Sequence, residues 1–428
     1  MLVGSPEELL RKLFDRAVEV ADPIQSLSQH LPRRPNGRVV VIGAGKASAR
    51  MAEAVEAAWG PCEGLVITRY GYGRPCKDIK IIEASHPIPD NNGLNATIQM
   101  LDLVENLSKD DFVLALISGG ASSLLVAPVN GISLDDKKNL TSALLASGAP
   151  IIDINTVRKH LSAVKGGQLA AKAYPATMLS LMISDVPGDE LAFIGSGPTV
   201  GESTSPQDAL HILNNWKIET PNAVVKSLTA GSNVVPPDDV RLTRVKNRIY
   251  AGPQQSLLAA EQLAKSYTID VVQLGSSVEG EARDVAIDQA RKALKIRAER
   301  KAGDPPILLL SGGELTVTKR GNGIGGPNSE FCLSLAIELN GVDGIYAIAC
   351  DTDGVDGAAE VAGAIVGPET LVKAAERGLN GLDFLQRNDA HSFFKAIGSQ
   401  VVTGPTLTNV NDFRGILILG FAHEVQRG

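Results

Sequence analysis

Short apolar runs, many of them β-branched, alternate along the chain with longer stretches in which apolar residues recur at helical spacing. In the first half the apolar runs are RVVVIGAG, GLVITRYG, DFVLALISGG and ATMLSLMISD, and the helical stretch KASARMAEAVEAAW follows the first of them. Continuous apolar strands that alternate with amphipathic helices are typical of a parallel sheet covered on both faces. The pattern therefore predicts an α/β layered domain.

The pattern is interrupted near residues 201–240, where ESTSPQDA and SNVVPPDDV are rich in Pro, Ser and Asp, as at a domain boundary or a surface excursion. A second block follows, with the helical stretch YAGPQQSLLAAEQLAKS, the run VVQLG, a charged helix that ends near Lys301, and the strands ILLLSGGELTVT, GIYAIACDTDG and GILILGF. We therefore predict two α/β domains, residues 1–240 and residues 241–428.

Composition and charge narrow the function classes. The chain of 428 residues carries a formal charge of -7 and only 4% aromatic residues, whereas a non-specific nucleic-acid binder needs a basic surface and stacking rings. The four cysteines lie far apart without a CxxC pair, which is typical of free thiols in a reducing compartment. No apolar run approaches the roughly 20 residues that span a bilayer, and the first residues have a helical pattern rather than that of a signal peptide. We expect a cytoplasmic protein without nucleic-acid or membrane partners.

The run VVVIGAGKAS is a strand, a Gly-x-Gly turn and the start of a helix. Glycines such as Gly43 and Gly45 let backbone amides approach an anion at the positive end of a helix, and Lys46 stands in the turn itself. The dinucleotide pattern needs a third glycine where Ser48 stands, and Arg69 replaces the expected acidic partner. Because an NADP-type site tolerates that arginine, the residues of this segment do not exclude a reductase.

Two further segments suit anion binding. The turn SGGASS combines small hydroxyls with successive amide donors, which form a concave anion site; its candidate residues are Ser118, Gly119, Gly120, Ser122 and Ser123. The segment INTVRKHLSAVKGG predicts a helix that is capped by Asn155 or Thr156 and carries Arg158, Ser162 and Lys165 on one face. Two cations on one stripe suit a phosphate or a carboxylate.

Carboxylates follow two of the predicted strands. Asp185 and Asp189 precede a glycine-rich loop that contains Gly195, Ser196 and Gly197. Mg²⁺ takes one or two carboxylates and completes its shell with phosphate oxygens and water, although Asp189 is also a candidate general base. The run ACDTDGVDG places Asp351, Asp353 and Asp356 after a later strand, and it lacks the closing glutamate of a calcium loop.

Polar loops of the second half suit the recognition of hydroxyls and phosphates. The segments are ILLLSGGELT, with Ser311, Gly312, Gly313 and Glu314; KRGNGIGGPNSE, with Asn322, Asn328 and Glu330; and TGPTLTNVND, with Thr403, Thr406, Asn409 and Asp412. The histidines form no HExxH pair, and His86 and His391 are interpreted as structural. No G-x-S-x-G elbow is present, which weakens a hydrolase interpretation.

Taken in order, the motifs VIGAGKAS, SHPIPD, LISGGASSLL, INTVRKHLSAVKGG, ISDVPGDELAFIGSGPT, SGGELTV, GGPNSEF, ACDTDGVDG and TGPTLTNVND closely resemble those of the class II glycerate kinases. The resemblance extends from about residue 7 to residue 420. It implies transfer of the γ-phosphoryl group of ATP to D-glycerate, giving 2-phosphoglycerate, with Mg²⁺. The implied fold is a Rossmann-like, three-layer parallel-sheet domain plus a second α/β domain of MOFRL type, with the active site in the cleft between them.

The resemblance also assigns roles to residues. The lysine of the family's GAGK motif corresponds to Lys46, which is expected to contact the transferred phosphoryl group. Many members carry an arginine where this chain has Pro327, and its role is expected to pass to Arg158, Lys159 or Arg320 if it is needed. Lys46, Arg158 and Asp189 are the expected catalytic residues, and Asp189 and Asp351 the expected metal ligands. The expected substrate and nucleotide contacts are Gly43, Gly45, Ser118, Gly119, Gly120, Ser122, Ser123, Lys159, Lys165, Gly195, Ser196, Gly197, Ser311, Gly312, Gly313, Glu314, Asn322, Asn328, Thr406 and Asn409.

Three alternatives remain at the level of sequence: an NAD(P)H-dependent hydroxypyruvate reductase, a non-catalytic sugar-acid-binding regulator, and a kinase of a neighbouring hydroxy acid such as erythronate or tartronate. One extra carbon in the substrate changes few contacts, so the residues do not separate the last alternative from the main interpretation. Small molecules are the expected partners, and a homodimer is compatible with the family.

Overall fold

The computed structural model describes residues 4–420, apart from the side chain of Pro187. The chain divides into two compact units. The inserted unit consists of residues 23–250, and the terminal unit combines the described residues up to Asp22 with those from Ala251 onward. This division differs from the predicted boundary between residues 240 and 241, because the strand Val245–Ala251, which follows that boundary, belongs to the first sheet and the amino-terminal helix packs with the second half.

Strands and helices alternate through both units. The strands are β1 (Val39–Ala44), β2 (Glu63–Arg69), β3 (Ile79–Ala84), β4 (Phe112–Ile117), β5 (Thr177–Ile183), β6 (Val245–Ala251), β7 (Asp270–Gly275), β8 (Gly280–Glu281), β9 (Ile307–Gly313), β10 (Leu315–Thr316), β11 (Ile345–Asp351), β12 (Gly363–Val366), β13 (Gln400–Val401) and β14 (Asp412–Ile418).

The helices are α1 (Pro6–Glu19), α2 (Pro23–Ser26), α3 (Ser48–Trp59), α4 (Asn91–Val104), α5 (Ala121–Leu124), α6 (Leu134–Ala146), α7 (Ile151–His160), α8 (Gln168–Ala173), α9 (Pro206–Asn215), α10 (Asn222–Ala230), α11 (Pro253–Ser266), α12 (Ala282–Glu299), α13 (Pro327–Leu339), α14 (Thr370–Ala375), α15 (Gly381–Gln386) and α16 (Ala390–Ile397). Short 3-10 turns lie at Leu27–His30, Pro187–Asp189, Ile194–Ser196 and Val240–Leu242. No helix among residues 4–420 is long and apolar enough to cross a membrane.

The inserted unit contains a six-stranded sheet in the order β3-β2-β1-β4-β5-β6. Neighbouring strands from β3 to β5 are parallel. Val40 and Ile42 of β1 belong to one core cluster with α4. Val39 and Val41, which alternate with them along the strand and so point to the other face, are also buried. Both faces of β1 are therefore covered, as expected for a continuous apolar strand. The carboxyl ends of β1, β4 and β5 lie at one edge, where the loops of open α/β sheets bind ligands.

The terminal unit contains a second six-stranded sheet, in the order β13-β12-β11-β14-β9-β7. Its pairs are antiparallel except for β7 with β9, which is parallel. The predicted α/β class is confirmed, with a mixed rather than a parallel second sheet. The predicted strand GILILGF corresponds to β14, and its Phe421 lies outside the described residues.

Helix α1 belongs to the terminal unit because of its apolar face. Ser5 caps it, with its hydroxyl accepting from the amide of Glu8 while the carboxylate of Glu8 accepts from the amide of Ser5. Leu10 and Phe14 are buried in a core cluster with residues of α11, β9 and β14. The ring centroids of Phe14 and Phe413 lie 5.8 Å apart.

Candidate functional site

The turn between β1 and α3 presents a lysine side chain rather than free amides. The amide of Lys46 donates to the carbonyl of Gly119 at 2.8 Å, and the amide of Ala47 donates to Oγ of Ser118 at 3.0 Å. Gly45 has a φ of 140°, and a Cβ there would collide with Ser118. These bonds fix the turn against the end of β4. The prediction that this turn offers its own amides to an anion is therefore wrong, because they are already bonded.

The turn after β4 does offer amides. Within the described chain, the amides of Gly119, Gly120 and Ser122 donate to no protein acceptor, whereas those of Ser118 and Ser123 bond to main-chain carbonyls. Gly120 takes a left-handed conformation, with a φ of 83°. Successive unbonded amides around such a residue form a concavity that suits an anionic oxygen. Of the main-chain amides in the predicted anion site at residues 118–123, three are therefore available to bind an anion.

Lys46 and His86 both lie against this turn. A Cβ built on Gly120 would stand 3.0 Å from Cδ2 of His86, 3.1 Å from its Nε2 and 3.2 Å from Cγ of Lys46. The absence of a side chain at residue 120 therefore lets an imidazole and an ammonium-bearing chain reach the same anion site. From the sequence, His86 is interpreted as structural. A single sequence does not show that this histidine lies beside the glycine-rich turn that follows β4.

The glycine-rich loop after β5 is tied to the same turn. Ser122 and Ser196 share a hydroxyl hydrogen bond of 2.9 Å, and the hydroxyl of Ser196 donates to Oδ1 of Asn155 at 3.1 Å. Gly195, Ser196 and Gly197 all have positive φ values, of 61°, 63° and 62°. The structure thus brings the predicted loop at 195–197 to the predicted turn at 118–123 by a direct bond between their serines, and it ties that loop to Asn155 of α7.

The predicted helix face at 155–165 is wrong. Helix α7 begins at Ile151 and ends at His160, so Asn155 lies inside it rather than capping it, and Ser162 and Lys165 lie beyond its end. Beyond the end of the helix, Ser162 forms a β-bridge with Pro128. The ammonium of Lys165 is buried and donates to the carbonyl of Leu125 at 2.8 Å.

The cations near α7 differ in their surroundings. Lys159 is buried in an ion pair with Glu202, with Nζ and Oε2 2.5 Å apart. The half-buried guanidinium of Arg158 forms no ion pair or hydrogen bond with the part of the chain that the structure describes, and burial lowers its pKa. Arg158 is therefore better placed than Lys159 to bind an external anion, because its charge has no partner among residues 4–420.

Asp189 has the features expected of a carboxylate that binds something other than protein. Its Oδ1 is buried and has no hydrogen-bond partner among the described residues. Its backbone has a φ of 56°, which non-glycine residues seldom adopt and which is often found at functional sites. The described residues contain no group of three or more His, Cys, Asp or Glu that could hold a metal ion.

In the terminal unit the loop after β11 is closed by its own carboxylates. Oδ1 of Asp351 accepts from the amide of Asp353, and Oδ1 of Asp353 accepts from the amide of Val355, both at 2.8 Å. The hydroxyl of Thr406 donates to the carbonyl of Thr352 at 2.5 Å. The predicted residues Asp351 and Thr406 are thus brought into one loop cluster, and Asn409 is buried nearby in sequence, where its Oδ1 accepts from the amide of Asn411.

Helix α13, which begins in the GGPNSE motif, is clamped to this loop. The fully buried carboxylate of Asp356 accepts from the amides of Asn328 and Ser329 and from the hydroxyl of Ser329, at 2.9, 2.8 and 2.5 Å. Burial raises the pKa of Asp356 to about 6. Nδ2 of Asn328 donates to Asp412, which pairs with the buried Arg414. Asn328 is therefore a structural partner of β14, although its Oδ1 has no partner among residues 4–420.

The second Ser-Gly-Gly sequence is not a turn. Ser311, Gly312 and Gly313 are the last residues of β9 and are buried, and the guanidinium of Arg414 donates to the carbonyls of both glycines. Because these three residues continue the strand and do not turn, they form no concavity of successive amides, so the predicted likeness to residues 118–120 is wrong. The remaining predicted residues of this region, Glu314 and Asn322, are exposed.

The comparisons with known proteins cover both units. The model of a domain of unknown function (DUF4147) matches residues 9–229, and that of the MOFRL family matches residues 307–412. A protein of Agrobacterium vitis that is provisionally named hydroxypyruvate reductase is 47% identical over 97% of this chain and 95% of its own. The D-glycerate 2-kinase of Thermotoga maritima is 38% identical over 97% of this chain and 98% of its own. The crystal structure of a glycerate kinase from Thermotoga maritima superposes with a TM-score of 0.87 at 37% identity, covering 96% of this chain and 99% of that one.

Proposed function

Because the chain belongs to the glycerate kinase family, we propose that it transfers the γ-phosphoryl group of ATP to D-glycerate and forms 2-phosphoglycerate. The observation that carries the proposal is the position of Lys46 beside the three unbonded amides of the turn after β4. Phosphoryl transfer needs oriented positive charge and amide dipoles around the moving group rather than covalent chemistry from the protein. A lysine and an amide concavity at one strand edge supply both.

The roles of the remaining groups follow from their surroundings. Lys46 and the amides of Gly119, Gly120 and Ser122 would bind the phosphoryl oxygens. Arg158 would take the carboxylate of glycerate or part of the charge that the family arginine supplies, since Pro327 forms the first turn of α13 in its place. Its guanidinium, which pairs with no described residue, supports this assignment.

Mg²⁺ is the metal that we expect with ATP, and Asp189 fits it. Mg²⁺ binds through one or two carboxylates and keeps phosphate and water ligands, and Asp189 has a buried oxygen that no described protein group occupies. When bound, the ion would neutralise charge on the phosphates. Asp189 would hold the ion or accept the proton of the glycerate hydroxyl, and Asp351 stays a predicted second ligand.

The reductase alternative has one observation in its favour, the provisional name of the relative from Agrobacterium vitis. The local structure fits it less well. Ser48 occupies the position of the third glycine, and its buried hydroxyl donates to the carbonyl of Leu116 at 2.9 Å. Arg69 stands over the ring of Tyr72, 5.0 Å from its centroid. No acidic group replaces it at the end of β2 to bind a ribose hydroxyl.

The test is a phosphorus NMR spectrum of the pure protein with MgATP and D-glycerate, with ATP alone as the blank. A 2-phosphoglycerate signal supports the proposal, and a 3-phosphoglycerate signal keeps the kinase but changes the hydroxyl that is phosphorylated. If neither forms in a folded sample, the proposal fails, and erythronate and tartronate with MgATP, then hydroxypyruvate with NADH, are tested next.

Replacement of Lys46 tests the mechanism. Lys46→Ala should lower kcat at least ~100-fold, the loss typical of one oriented stabilising group. The matched control is Lys80→Ala, because Lys80 is an exposed lysine of the same sheet whose ammonium donates only to Gln99. Equal turnover of the two variants would remove Lys46 from the mechanism.

The proposal extends to the cellular compartment and the oligomeric state of the enzyme. The four cysteines carry free thiols, which supports a reducing, ATP-containing compartment such as the cytoplasm. A homodimer is the assembly that we expect, and light scattering of the eluted protein would measure its mass.

A further inference from the structure

The carboxyl-terminal end of α7 concentrates positive charge. Lys137 of α6 lies there with Arg158, Lys159 and Lys165, and one carboxylate, Glu202, pairs with Lys159. The ammonium of Lys137 donates to the carbonyls of Arg158 and Leu161, at 3.3 and 3.1 Å. Three of the four cations therefore bond to neutral carbonyls or, for the side chain of Arg158, to nothing in the described chain.

Such a cluster is costly to bury. An ionised group that leaves water without a counter-charge loses several kcal/mol or shifts its pKa toward the neutral form. Burial together with Arg158 lowers the pKa of Lys137 to about 7, and burial with Lys137, Arg158 and Lys159 lowers that of Lys165 well below its ordinary value. The fold thus holds a positive centre for which residues 4–420 supply no second anion.

We propose that this end of α7 is a receptor for an oxyanion of the substrates, contacted by Arg158, and that Lys137 is a positioning residue that takes up a proton when the anion binds. The ammonium of Lys137 holds the last carbonyls of the helix that carries Arg158, so its protonation and the orientation of Arg158 are linked. The oxyanion would be the carboxylate of D-glycerate or a phosphate of ATP. This identification, though not the anion site itself, rests on the proposed function.

Several charged groups face Lys137 or lie near it. From α7 and the segment after it come Arg158, Lys159 and Lys165, with Glu202 paired to Lys159. On its own helix, the carboxylate of Asp136 accepts from the amide and the hydroxyl of Ser133, the N-cap residue, and Asp135 pairs with the more exposed Lys138. His160 contacts Thr204, and burial lowers its pKa. Burial lowers the pKa of Lys137, Lys165 and His160, so each of these groups can take up a proton when an anion binds nearby.

The experiment is calorimetric titration of the full protein at pH 7 in two buffers of different ionisation enthalpy. Sulfate is the first probe, because it takes no proton in this range, and D-glycerate and MgATP are the second and third. A pKa that rises from about 7 to ~8 on binding corresponds to uptake of ~0.4 proton per site. By linkage, protonation of Lys137 then strengthens anion binding about tenfold per unit of that rise.

Variants distinguish the role of Arg158, which contacts the anion, from that of Lys137, which takes up a proton. Arg158→Gln should abolish sulfate binding. Lys137→Met should bind sulfate about tenfold more weakly at pH 6, with no proton uptake and little dependence on pH. Lys138→Met, one residue along the same helix, should titrate like the wild-type protein. Lys137→Arg keeps the charge at every pH, so it should bind well without proton uptake.

The outcomes are distinct from those of the kinase test. No proton uptake by the wild-type protein, or uptake that persists in Lys137→Met, overturns the inference without any need for a folded variant. Binding of all three probes that survives Arg158→Gln overturns it as well. If sulfate binds with proton uptake but no phosphoglycerate forms, the anion site stands and the proposed function fails. D-glycerate and MgATP titrated separately show which substrate supplies the oxyanion.

Discussion

Gly120 offers a direct test of whether Lys46 and His86 act at the turn after β4. A methyl group there meets the imidazole at 3.0 Å and Cγ of Lys46 at 3.2 Å, so both side chains must shift by a few tenths of an ångström. The left-handed φ of 83° adds ~1–2 kcal/mol of backbone strain for any non-glycine residue. Gly120→Ala therefore combines strain with displacement of two candidate site residues.

Gly131 provides the matched control. Its φ is 84°, and a Cβ there has no neighbour within 4 Å, so Gly131→Ala carries the strain without the displacement. Both variants should lose ~1–2 kcal/mol in urea-induced unfolding. Only Gly120→Ala should lose activity, by at least ~10-fold in kcat/KM for D-glycerate, because a small displacement of reacting groups lowers the rate of the reaction strongly. Equal kcat/KM for the two variants would refute the placement of the site at this turn.

Three further predictions concern other parts of the chain. Asp189→Asn should raise the Mg²⁺ concentration for half-maximal activity at least ~10-fold while changing the free energy of unfolding by under ~0.5 kcal/mol, since no described residue bonds to Oδ1; an unchanged Mg²⁺ titration contradicts it. The pKa of Asp356 is raised from 3.8 to about 6, so the native state binds the extra proton between these values and its stability falls as pH rises. Relative to Asp356→Asn, the wild-type protein should lose ~2 kcal/mol between pH 4 and pH 6 in urea titrations, and parallel curves would count against this. Phe14→Ala should cost ~3–5 kcal/mol in the same assay, and a loss under ~1 kcal/mol would show that α1 adds little to the core.

The fold could be predicted wherever a strand is buried on both faces. The runs that became β1, β4 and β9 are continuous apolar stretches, and each was located from its hydrophobicity alone. Strand β6, VKNRIYA, was missed because exposed and half-buried residues alternate along its first part and several are charged. The mixed direction of the second sheet was also not predictable, because strand direction depends on connections that the apolar pattern does not record.

The candidate site was predictable only in its residue types. Glycine, serine and lysine at strand ends indicated an anion site, but which amides are already bonded depends on contacts between turns that are far apart in sequence, as between Lys46 and Gly119. Helix α7 was misplaced because its first residues, Ile151 and Ile152, are apolar yet exposed, so the pattern gave no clear start. Lys137 carried no signal, since a lysine on a polar helix is ordinarily solvated.

The packing of α1 in the terminal unit sets the order in which this protein can be completed during synthesis. The helix leaves the ribosome long before β9, β11 and β14, against which it packs. Roughly 400 residues separate Phe14 from the end of β14, which at ~5–20 residues per second is a delay of ~20–80 s. The inserted unit is complete before that delay ends and can fold on its own schedule. The apolar face of α1 cannot be buried until these strands are synthesised. In an incomplete chain this face would be exposed to chaperones and proteases, whereas in the completed chain it is buried.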